Sequence, residues 1–134
     1  MKKHISLLLL LFLFFACQNK KIEKIADLAC QDTKDLVESY ASAVVPHGDA
    51  VLNSVVKEDM MNSAVCDCIR PSLKKHLQSY SETELEEQIT DKSRRSKSVR
   101  KAILQNPTDI LTCYKDKGLK GMAMIQGFIK QIMP

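Results

Sequence analysis

Apolar residues in this chain fall first in one unbroken block and then in a helical rhythm. From Ile5 to Ala16 only Ser6 interrupts the apolar run, and residues 18–21 are wholly polar. From Ile22 onward, Ile25, Leu28, Leu36, Tyr40 and Val44 recur at spacings near three and four, the stripe of an amphipathic helix. Pro46-His47-Gly48 should end that helix. Asp49 can cap a second one carrying Val51, Leu52, Val55 and Val56. This helix runs on, or restarts at Asn62-Ser63, through Cys66 and Cys68 to Arg70.

Pro71 should kink the pattern or open a new helix in its first turn, with Leu73 and Leu77 continuing the stripe. Ser81-Glu82-Thr83-Glu84 matches a capping box and opens a short helix with Leu85 and Ile89. Val99, Ile103 and Leu104 mark a further helix after a segment rich in Lys, Arg and Ser. Asn106-Pro107-Thr108 reads as a turn, with Thr108 or Asp109 capping residues 110–117 and Gly118 stopping them. Residues 119–133 form the last helix, with Met122, Ile125, Ile129 and Ile132 on one face and Phe128 beside them. There is no sustained alternation, no hairpin signal and no solenoid period. The expected fold is all-α, a small disulfide-braced bundle of five or six helices.

The apolar block changes where this bundle is expected to work. Lys2, Lys3 and His4 precede it, and it ends at Ala16-Cys17. It is too short for a bilayer-crossing helix, which needs roughly 20 apolar residues. A positive head, an apolar body and a small residue before a cleavage point form the secretory signal pattern. With a cysteine directly after the small residue, the segment resembles the signal and lipobox of bacterial lipoproteins. The usual lipobox has Leu and then Ala or Ser before the small residue; Phe14 and Phe15 stand there here. The resemblance covers this segment alone. It implies that residues 1–16 are removed and that Cys17 takes a diacylglycerol on its thiol and a fatty acid on its new amino terminus. Residues 17–21 would then be a lipidated tether and residues 22–134 a single domain. By the enterobacterial sorting rule, Gln18 in place of Asp after the cysteine favours the outer membrane.

Five cysteines occur in all. With Cys17 spent on lipid, Cys30, Cys66, Cys68 and Cys113 make an even remainder, which in an exported chain implies two disulfides. Cys66 and Cys68 lie two apart on a helix and point to nearly opposite sides, so they should not bond to each other. One goes to Cys30 and the other to Cys113; which goes to which stays open. The other reading of Cys66-Asp67-Cys68 is a metal or thiol-redox site, for example Cu(I) with Met60 or Met61. One intervening residue fits neither zinc nor dithiol spacing well, and the exported setting oxidises thiols.

The formal net charge of +4 falls to about +2 without Lys2 and Lys3, too little to argue for nucleic acid. Tryptophan is absent and aromatics are few, so there is no stacking platform. His47, Asp49 and His76 suggest no catalytic constellation, and no serine has a nucleophile-elbow setting. An enzyme, a cofactor and a small-molecule substrate are therefore not expected. Glu82, Glu84, Glu86 and Glu87 precede Lys92, Arg94, Arg95, Lys97, Arg100 and Lys101. These six cations are the candidate contact surface for an envelope protein partner or lipid phosphates, against the plainer reading of a solvated helix start. On that expectation, reversing Arg94, Arg95 and Arg100 would abolish partner capture without unfolding the chain. Met122, Met124 and Met133 read as core filler, and Gly121 and Gly127 as points of close helix approach.

Overall fold

The structure is a computed structural model. It describes residues 2–44, 54–55, 58–59 and 63–132, and within these the side chains of residues 8–13, 16–33, 54–55, 58–59 and 63–131. Among the described residues the fold is all-α. The helices are α1 (Lys2–Val44), α2 (Ala64–Leu77), α3 (Glu82–Thr90), α4 (Lys92–Gln105), α5 (Pro107–Asp116) and α6 (Lys120–Ile132). Of the helix expected after Asp49, only residues 54–55 and 58–59 are described before Ser63; His47, Met60 and Met61 lie outside the described residues.

The helical stripes read from the sequence become the core. Ile25, Leu73, Leu77, Leu85 and Ile110 are wholly buried, joined by Val99, Tyr114 and Leu119. Burial pushes the Tyr114 hydroxyl pKa well above the usual tyrosine value, since its charged form would be desolvated. α1 packs on α2, α3 and α4, α2 on α4 and α5, and α5 most extensively on α6. α1 and α2 are antiparallel: Lys74 pairs with Glu23, Arg70 with Asp27 at 2.7 Å, and Cys66 with Cys30.

Local chemistry sets the helix ends. At α3 both halves of the capping box form: Ser81 N–H donates to Glu84 Oε2 at 2.6 Å, and Glu84 N–H to Ser81 Oγ at 3.3 Å. Asp91 caps α4, accepting from the N–H groups of Ser93 and Arg94. Gly118 ends α5 as expected, at φ +70°, a conformation that strains residues with a side chain. The N–H of Leu119 then reaches back to the Tyr114 carbonyl at 2.9 Å.

The structure refines five of these expectations. Residues 18–21, read as a polar tether, are helical, and α1 runs through them unbroken. Of the two readings of Pro71, a place within a continuing helix and the start of a new one, the first holds, since it lies inside α2. Its missing N–H leaves the Asp67 carbonyl without its usual partner, and both residues are exposed, so water can serve that carbonyl. α5 begins at Pro107 rather than after Thr108, because proline at the first helical position loses no hydrogen bond there. On α6, Met122 is buried but Met124 is 51% exposed, so only the first acts as core filler. A Cβ added at Gly127 would meet nothing within 4 Å, so no close helix approach requires that glycine.

Candidate functional site

Cys30, Cys66, Cys68 and Cys113 form the two expected cross-links, and the structure decides the pairing. Cys30 joins Cys66 with a Cα–Cα distance of 5.4 Å, and Cys68 joins Cys113 at 5.6 Å. Residues two apart on a helix lie roughly 200° apart around its axis. α2 therefore sends one sulfur to α1 and the other to α5. None of the four is left as a thiol, and a metal or redox site built from them would need both bonds opened. Among the described residues, no three or more His, Cys, Asp and Glu side chains are grouped to hold a metal ion.

Cys17 stands apart from this frame. It is exposed and the one free cysteine of the described residues. Before it, Leu8 to Leu13 are each at least 51% exposed, so this apolar stretch is not packed into the core. No helix is long and apolar enough to cross a membrane among the described residues. After Cys17 the chain docks at once. The Gln18 side-chain amide donates to the Tyr80 carbonyl at 3.4 Å, Lys21 pairs with both Glu82 and Glu86, and Ile22 is 4% exposed. Hydrogen bonds from Lys21 to Glu82 and then Glu86 raise the Lys21 pKa above that of a free lysine.

The basic segment 92–101 does not form one surface. Helical geometry divides it, because α4 presents its residues in three directions. Arg95 turns inward and is 8% exposed. Its guanidinium donates to Asp32 Oδ2 at 2.8 Å and to the carbonyls of Gln88 and Ile89, both at 2.9 Å. It thus serves the carbonyl end of α3 and ties α4 to α1. Lys92 approaches the same Asp32 at 3.6 Å. Arg95 is therefore removed from the candidate contact surface, since a partner cannot reach it without opening the bundle. Arg100 is exposed on another side of α4.

The remaining three, Arg94, Lys97 and Lys101, line a cleft of about 420 Å³ between α3 and α4. Glu84, Glu87 and Asp91 line the opposite wall. The three cations have the spacing i, i+3, i+7, which places them on one face of α4, while Glu84 and Glu87 lie three apart on α3 and Asp91 stands at the turn between the two helices. This was readable from the sequence, though the two charge runs were not read there as facing stripes. Arg94 closes one end, pairing with Glu87 at 2.6 Å and approaching Asp91 at 3.6 Å. Tyr80, Gln88 and Ser98 also line the cleft. They belong to a hydrogen-bonded chain that runs from Gln105 to His76 (2.9 Å), Tyr80 (3.0 Å), Ser98 (3.1 Å) and Gln88 (2.9 Å). His76 is thus bonded through both ring nitrogens, to Gln105 and to Tyr80. It holds the turn between α2 and α3 onto α4.

The fold and these features define an all-α, disulfide-braced helical domain with a polar cleft and, at Cys17, a free and exposed cysteine. No protein-family model, curated protein or solved structure matches the chain.

Proposed function

We propose that this chain is a lipid-anchored protein of the bacterial cell envelope that binds another envelope macromolecule rather than transforming a substrate. The single observation that carries the reading is the division of the cysteines. Four are consumed in two cross-links suited to an oxidising compartment, and Cys17 alone stays free and exposed at the end of an unpacked apolar run. Gln18 after that cysteine favours the outer membrane under the enterobacterial rule. The cleft between α3 and α4 is the contact site, with Arg94, Lys97 and Lys101 facing an acidic segment of the partner and Glu84, Glu87 and Asp91 a basic one. Opposed charge rows favour a partner of matching pattern and disfavour others through like-charge contact.

The test begins with the intact mass of the chain extracted from bacterial membranes. Acyl mass on a chain starting at Cys17 supports the anchor, and an unacylated chain refutes it. A photo-crosslinking residue at Lys97 should then give one discrete envelope adduct, lost when Lys101→Glu is added. No adduct, or one indifferent to Lys101→Glu, would rule out the cleft.

A further inference from the structure

We propose that acylated Cys17 has no free leash, so that the end of the bundle made by residues 18–21 and 79–83 is seated directly on lipid headgroups. The inference rests on the anchoring reading and adds an orientation to it. A flexible tether lets a domain swing away from its lipid, because each extended residue reaches roughly 3.5 Å and rotates freely. Here every residue from Cys17 to Val44 is helical. At about 1.5 Å per residue, Ile22 and the core begin only about 8 Å further along the axis. Gln18 holds the Tyr80 carbonyl and Lys21 holds Glu82 and Glu86, so the start of the mature chain is clamped to the turn between α2 and α3.

The chemistry of this end suits a zwitterionic headgroup layer. Asn19, Ser79, Ser81 and Thr83 are exposed, polar and uncharged. Lys20, which is exposed, and Lys21 together offset the carboxylates of Glu82 and Glu86, so no strong field of one sign faces the bilayer. The exposed apolar residues of the described mature domain, Met124 and Phe128, lie on α6 and not on this end. Tyr80, whose carbonyl receives Gln18, also lines the cleft between α3 and α4. A partner engaging that cleft would therefore meet it at the membrane surface.

Because the chain has no tryptophan, a single introduced one reports its own position. Thr83→Trp would mark the headgroup end. Ser63→Trp would mark the opposite end, beside the Cys30–Cys66 link, about 20 Å further along α1. Both positions are exposed, so neither change disturbs the core. The full acylated chain is purified from membranes, its acyl mass confirmed, and placed in phosphatidylcholine vesicles carrying a spin-labelled headgroup lipid. Quenching at Thr83→Trp should exceed that at Ser63→Trp severalfold. A Gly/Ser insert of about ten residues after Gln18 should abolish the difference. Equal quenching in the acylated chain would overturn the orientation while leaving the anchor intact. A difference that survives the insert would overturn the short anchor as its cause. A chain without acyl mass would refute the anchoring reading itself.

Discussion

Arg95 on α4 reaches Asp32 on α1, its Nε donating to Asp32 Oδ2 at 2.8 Å, with both side chains largely out of solvent. The same guanidinium serves two carbonyls at the end of α3, so one side chain joins three helices. Arg95→Glu would set a carboxylate against Asp32 and strip both carbonyls of their donor. Breaking such a pair from one side costs about 3–5 kcal/mol, and urea denaturation should show a loss of that size. Arg95→Lys keeps the charge but not the planar fork, and should lie between that variant and the unaltered chain. A triple reversal that includes Arg95 would report unfolding rather than lost binding.

The two cross-links should contribute almost equally. They span 36 and 45 residues, and closure entropy for loops of that size is about 4 kcal/mol each, differing by a few tenths. Cys30→Ser with Cys66→Ser, and Cys68→Ser with Cys113→Ser, should therefore lower the denaturation midpoint by similar amounts. A large inequality would mean that one bond restrains structure that persists in the unfolded chain.

The capping box gives a prediction about pH. The Ser81 backbone N–H, then its side chain, holds the Glu84 pKa below the usual glutamate value. A lowered native pKa means that the contribution is complete above the ordinary glutamate range and lost as pH falls through the native value. In Ser81→Ala the backbone donor remains but the hydroxyl goes. The Glu84 carboxyl titration followed by NMR should then move up only part of the way to the ordinary value. Loss of the Ser81 cap itself should cost about 1 kcal/mol in thermal unfolding.

Tyr80→Phe would remove the central link between His76 and Ser98 while keeping the ring. Ser98 is 2% exposed but still bonded to Gln88, so the expected loss is about 1 kcal/mol by urea denaturation. The His76 ring should also lose its fixed orientation, visible as averaging of its NMR couplings.

The local signals of this fold were readable in the sequence and the long-range ones were not. The Ser81–Glu84 box, the Gly118 stop and the stripe through Met122, Ile125 and Ile129 depend on neighbours within a few positions. Residues 18–21 look like a tether because they are polar, and nothing local shows that Tyr80, Glu82 and Glu86, some sixty residues away, hold Gln18 and Lys21 of this stretch of α1. Arg95 looked like one cation among six. Its spacing of four from Val99 and seven from Ala102 already placed it on the buried stripe, but its partner Asp32 lies on another helix. The facing charge rows were likewise present as numbers and acquired meaning only when the chain turned at Asp91.

The placement of Cys66 and Cys68 also bears on the order in which the protein matures. Exchanging their partners would close loops of almost the same length, so chain statistics cannot choose between the correct isomer and the crossed one. What distinguishes them is that α2, once helical, points the two sulfurs to opposite sides. A chain oxidised before that helix forms would have no such guide between these two isomers, and nothing would then keep Cys66 from closing on Cys68. Faithful maturation therefore calls for a helix that folds ahead of its oxidant, or for a thiol isomerase that reopens the mistakes.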